Sequence, residues 1–173
     1  VKGISCIALT LILAFSLVSG CDKVDTAISD VENCSDGILN NGEREIDCGG
    51  SNCQSCPAKM TAMVNGAEWK LSGATIFSQV NPAGNSIFLT GTDSSLNSIS
   101  LIHTGPFQEG TYTLTSGLYS TPQQNYTSTQ GDLIILEWDS EERFISGQFS
   151  FDAVNTIGDT IRIQEGYFAF APY

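Results

Sequence analysis

Arg143-Phe-Ile-Ser-Gly-Gln-Phe-Ser-Phe-Asp-Ala-Val154 alternates with almost no error. Ile145, Gly147, Phe149, Phe151 and Ala153 fall on one parity, and Ser146, Gln148, Ser150 and Asp152 on the other. Successive side chains of a strand point to opposite faces, so the segment predicts a strand with one core face and one wet face. The segment from Thr160 begins the same way, with Ile161 and Ile163 inward, but Phe168 and Phe170 then take the opposite parity. One extra residue reverses every later side chain, so a bulge at Glu165-Gly166 would restore the phase. Burial on both faces is the alternative.

The same pattern extends upstream. Strands are expected at 60–64, 69–79, 86–92, 98–103, 111–115, 125–129 and 132–138, in addition to 143–154 and 160–170. Between them lie Asn65-Gly66, the run from Asn81 to Asn85, Gly105-Pro106, Gly110, Asn155 and Gly158-Asp159, which are turn chemistry. No helical repeat of adequate length competes. Many short strands with short connections predict an all-β fold, an antiparallel sandwich or barrel-like domain over 58–173.

Residues 34–57 differ in character. Cys34, Cys48, Cys53 and Cys56 frame a polar segment whose only large aliphatics are Ile38, Leu39 and Ile46. So little apolar surface cannot order a chain, and two disulfides are expected to do so, with all three pairings open. A local Cys53–Cys56 bridge is the least expected, because no thioredoxin-like βαβ surrounds that Cys-x-x-Cys. Zinc is a weaker reading, since Cys34 and Cys48 do not form the matching half-site. Calcium takes oxygen ligands, and Asp36, Asn40, Glu43 and Asp47 supply them within one loop, although not in EF-hand register. Turn capping by the same side chains is the competing expectation. The pattern Cys-x-Asp-Gly-x-x-Asn-x-x-Glu, Ile-Asp-Cys-Gly-Gly and two closing cysteines resembles a small module recurrent in exported proteins of marine bacteria.

Further upstream, Ile4 to Val18 is uncharged and apolar, too short for a membrane span of about 20 residues. With Lys2 before it and Leu17-Val-Ser-Gly-Cys21 closing it, it resembles a lipoprotein signal peptide over 1–20 with Cys21 as the acylated residue. Each buried acyl CH₂ contributes about 0.8 kcal/mol, so several chains on Cys21 imply a firm membrane anchor. Residues 21–33 read as a flexible acidic linker. Met63-Val-Asn-Gly-Ala-Glu-Trp-Lys70, Gly110-Thr-Tyr-Thr-Leu114, 143–151 and Ile163-Gln-Glu-Gly-Tyr-Phe168 together are similar to an uncharacterised lipoprotein β domain common in Bacteroidota. That resemblance implies an outer-membrane location, on the periplasmic or cell-surface face, and brings no activity with it.

The chain holds 19 acidic against 7 basic residues, a net charge of −12, and no basic cluster. Such a surface repels phosphate backbones, which argues against nucleic-acid partners. His103, the single histidine, sits among Ile99, Leu101 and Ile102 and reads as structural. No catalytic serine elbow or zinc-protease motif occurs. Glu141 and Glu142 are adjacent acids, and paired carboxylates can hydrolyse glycosides, so an accessory polysaccharide hydrolase is the alternative function. Exported β-sandwiches also bind glycans on exposed rings, for which Tyr119, Tyr126 and Trp138 are the candidates, with core packing as their commoner fate. The leading expectation is a monomeric, lipid-anchored, non-catalytic module that binds a glycan or an envelope protein.

Overall fold

The computed structural model describes residues 34–40, 42–73, 76–81, 85–105 and 108–173. The expected signal peptide over 1–20, Cys21 and the expected 21–33 linker lie outside them. The described residues form no helix and eleven strands: β1 (Lys59–Val64), β2 (Ala67–Lys70), β3 (Phe77–Asn81), β4 (Ser86–Thr92), β5 (Ser98–Thr104), β6 (Gly110–Thr113), β7 (Ser116–Ser120), β8 (Asn125–Ser128), β9 (Asp132–Asp139), β10 (Phe144–Val154) and β11 (Thr160–Pro172). All pairings are antiparallel, as expected of short strands in sequential hairpins. The order is β2-β1-β11-β10-β8-β7-β5-β4-β3, with β9 between β10 and β6. Two strand assignments change. The expected 69–79 strand is two, β2 and β3, separated at Leu71 to Ile76, and β7 was hidden in the polar run Ser116-Gly-Leu-Tyr-Ser120.

One long hairpin turns the sheet. Gly117 lies opposite Ser128 and Thr113 opposite Asp132, a single register that runs through two strand pairs. Where β6 becomes β7 and β8 becomes β9 the hairpin bends, held by the Leu114 amide donating to the Gly131 carbonyl. On one side of the bend β9 pairs with β10, and on the other β7 pairs with β5 while β8 meets the end of β10 at Thr127 and Val154. Strands that change partners at a bend make the corners of packed sheets. Across the curled sheet the two halves meet closely: a methyl on Gly117 would sit 2.7 Å from the Phe151 ring.

β10 is the regular strand about which its neighbours adjust. Phe149 pairs with Gly166 and Phe151 with Ile163, so Ser150 faces two residues, Gln164 and Glu165, and Glu165 takes a φ of 50°. This bulge stands at the position the alternation requires, and it turns Phe168 inward and Tyr167 outward. A second bulge reverses the phase again. Ser146 faces Ala169 and Phe170, Phe170 has a φ of 52°, and Ala171 becomes the inward residue rather than Phe170. A third inserts Leu136 into β9, leaving it exposed. The inward face of β10 is buried from Ile145 to Ala153, in one core with Met60, Trp69, Leu89, Ile99, Leu101, Leu133, Ile163 and Phe168. Gly166 admits no side chain there, because a methyl would lie 2.5 Å from the Phe149 ring and carbonyl.

The cysteine segment is ordered differently. Its bridges are Cys34–Cys53 and Cys48–Cys56, an interleaved pair closing loops with separations of 19 and 8. Ile38, Leu39 and Ile46 are all exposed, so they build no core. The segment is joined to the β domain by Arg44 and by Lys59, which pairs with Glu45.

Candidate functional site: the outer face of β9, β10 and β11

The acids considered for calcium come together, and they do so around backbone amides. Asp36 accepts from the Ile38 amide at 2.8 Å and from Asn40 Nδ2 at 3.0 Å. Asp47 accepts from the Gly37 amide at 2.9 Å, and Glu43 Oε2 accepts from the amides of Asn40 and Asp47. These are the hydrogen bonds by which short polar side chains hold turns. Glu43 also lies beside Cys34 and Cys53, and Glu45 beside Cys48 and Cys56. Both sulfur pairs are oxidised, so neither offers the thiolates that a zinc site requires.

Arg44 meets a cluster of acids on the β domain. Its Nη1 is 2.7 Å from Glu137, its Nη2 contacts Asp139, and its Nε is 3.1 Å from Glu142. The guanidinium also lies 4.7 Å above the Phe144 ring, a cation–π geometry. Burial alone would lower the Arg44 pKa, but Glu142, Asp139 and Glu137 outweigh it and raise it. The Asp139 carboxyl is held below its ordinary range, first by the Glu142 amide and then, against partial burial, by the Glu141 amide and Arg44. Glu142 accepts from the Gly50 amide as well, so of the Glu141–Glu142 pair one member is engaged at the module boundary and the other is an exposed turn residue. His103 is buried, and its Nδ1 is 3.1 Å from the Thr113 carbonyl. A carbonyl only accepts, so this nitrogen carries the proton.

The expected aromatic platform is corrected. Tyr119 is 8 % exposed and belongs to the core, with its pKa raised by burial, because the bend in the hairpin turns its face inward. Tyr126 packs against it with ring centroids 6.2 Å apart. Trp138 lies at the far end of β9, half-buried and stacked at 4.6 Å on Tyr173, whose hydroxyl donates to the Asp139 carbonyl. Two of the three rings therefore pack against the core, and the third is part of it.

A different ring is outward. The register sets Thr111, Ile134, Gln148 and Tyr167 side by side across β6, β9, β10 and β11. Tyr167 is 39 % exposed, and Gln148 and Thr111 are exposed with it. Asp132, Ser150 and the bulged Glu165 stand in the next row, and together these residues border a cleft of about 610 Å³. A second cleft, of about 820 Å³, adjoins it toward the bend, bordered by Thr127, Gln130, Asp152, Arg162 and Gln164. The two share Asp132 and Ser150 as a common wall. Both are open to solvent along the sheet rather than enclosed, with volumes in the range of ligand pockets, about 300–1,000 Å³. Within them Arg162 pairs with Asp152 at 3.1 Å, and Ser150 Oγ is 3.5 Å from Asp132. Sequence reasoning did not single out Tyr167, although the phase reversal at Glu165-Gly166 is the signal that puts it outside.

Residues 57–172 match the family of a domain of unknown function (DUF6252). The chain belongs to that family. No curated protein and no solved structure matches it. The matched residues comprise all eleven strands and the lining of both clefts, and residues 34–56 precede them.

Proposed function

We propose that this chain is a lipid-anchored envelope protein, held to the outer membrane through Cys21, whose DUF6252 domain is a non-catalytic binding module for a glycan or another envelope component. The observation that carries the binding part is the pair of adjoining clefts on the outer face, with Tyr167 and Gln148 exposed in one row. The anchor rests on the lipobox-like Leu17-Val-Ser-Gly-Cys21. A hydrolase is the less favoured reading, because Glu142 is held by Arg44 and the Gly50 amide, and the small cleft of about 210 Å³ that it borders is not lined by Glu141.

The test has two arms. Cys21→Ala is expected to move the protein from the membrane to the soluble fraction, and continued fractionation with lipid would refute the anchor. Wild type is expected to retain material from solubilised envelopes that the double variant Tyr167→Ala, Gln148→Ala loses. Equal retention by both would move the site off this face, and release of reducing ends from a polysaccharide would replace binding with catalysis.

A further inference from the structure

We infer that the two outer-face clefts act as one groove for a linear, uncharged polysaccharide, with Tyr167 as the surface on which a sugar ring stacks. This rests on the binding-module reading above and names its ligand. The two clefts adjoin at Asp132 and Ser150, and their linings reach from Tyr167 and Thr111 at one end to Thr127 and Val154 at the other, a span that suits a chain better than a single compact molecule. A pyranose has an apolar face of C–H groups and an equator of hydroxyls. A tyrosine ring exposed beside amide and hydroxyl groups matches both parts, since it offers an apolar body with a polar tip. Tyr167 has Gln148 directly opposite it on β10, and beyond Gln148 stand Ile134 and Thr111. Gln148 and Gln164 each bring a donor and an acceptor, and the threonines add hydroxyls that both donate and accept. Such groups satisfy hydroxyls of either role without any net charge.

Charge narrows the class. Among the described residues the groove holds Asp132, Asp152 and Glu165 against the single cation Arg162, on a chain of net charge −12. A uronic-acid or sulfated polymer would be repelled. A basic peptide is the other partner that acids attract, but Asp152 is already paired with Arg162, which leaves only Asp132 and Glu165 to meet a cationic chain. The aromatic surface and the amides remain as the recognition chemistry, and they are suited to a neutral, hydroxyl-rich chain.

The experiment is titration of the full chain with cellohexaose, xylohexaose, mannohexaose and laminarihexaose, with their disaccharides, and with a hexamer of galacturonic acid as the anionic probe. At least one neutral hexasaccharide is expected to bind, and its disaccharide to bind at least roughly tenfold more weakly, because only the longer ligand crosses the shared wall. Tyr167→Ala should weaken the hexamer by roughly tenfold or more, whereas Tyr167→Phe, which keeps the ring, should stay within roughly threefold. Unchanged melting of both variants confirms that they fold. The inference is overturned if no neutral hexamer binds, if Tyr167→Ala binds as wild type does, or if the galacturonic hexamer binds more tightly than the neutral ones. Failure here with continued, Tyr167-dependent retention of envelope material removes only the polysaccharide. Failure of both removes the binding-module reading as well.

Discussion

Residues 34–56 and the DUF6252 domain reach order by opposite routes. The first has two interleaved disulfides, exposed aliphatics and carboxylates occupied with backbone amides. The second has a continuous buried core and no cysteine beyond Cys56. A segment that short buries too little apolar surface, and covalent closure substitutes for it. The domain, with the inner face of a curled sheet closed around one core, does not need that help. Different perturbations should therefore break each one.

The largest effect is expected in the core. Phe149→Ala should cost about 3–5 kcal/mol in denaturant unfolding, because its ring is buried against Gly166 and Phe168. A cost under about 1 kcal/mol would place the core on the other face of β10. Next is the double change Cys34→Ser, Cys53→Ser. Opening that loop should destabilise the segment by about 3 kcal/mol. Limited proteolysis should then cut between residues 34 and 56 while the domain resists, and joint cleavage would show that the two regions fold as one.

Arg44→Ala should have a smaller effect, about 1 kcal/mol or less, since its pairs are partly solvated. The pH dependence has a definite sign. Asp139 has a lowered carboxyl pKa in the folded state, so its contribution is complete above the ordinary aspartate range and is lost as pH falls through the lowered value. Arg44→Ala should reduce that acid-side loss, as read from melting temperatures below pH 4. The smallest expected effect is that of calcium. With Asp36, Glu43 and Asp47 already accepting from amides, millimolar calcium should leave the melting of the oxidised chain as it is in chelator. A rise abolished by Asp47→Ala would instead make the segment a cation site.

The strands were legible where alternation was undisturbed. Arg143 to Val154 shows this best, and its neighbour's bulge at Glu165 could be read because phase is conserved unless a residue is inserted. The Phe170 and Leu136 bulges were not legible, since a single outward hydrophobic residue has the same pattern as an end of strand. The β7 strand lacked signal because its inward positions are Gly117 and Tyr119, between serines. Exposure of the rings depended on the bend at 114–116 and 128–131, a tertiary feature that removed Tyr119 from the surface. Arg44 was invisible for a similar reason: its partners Glu137, Asp139 and Glu142 lie more than 90 residues away, as the separation of 93 to Glu137 shows.

Amide hydrogen exchange on the full chain, before and after reduction of the disulfides, tests the contrast between the two regions most directly. On reduction the amides of Gly37, Glu43, Asp47 and Gly49 should lose protection while those of β10 and β11 keep theirs. Loss of protection along β10 and β11 as well would contradict it, and would mean that the domain depends on the disulfides rather than on its own core.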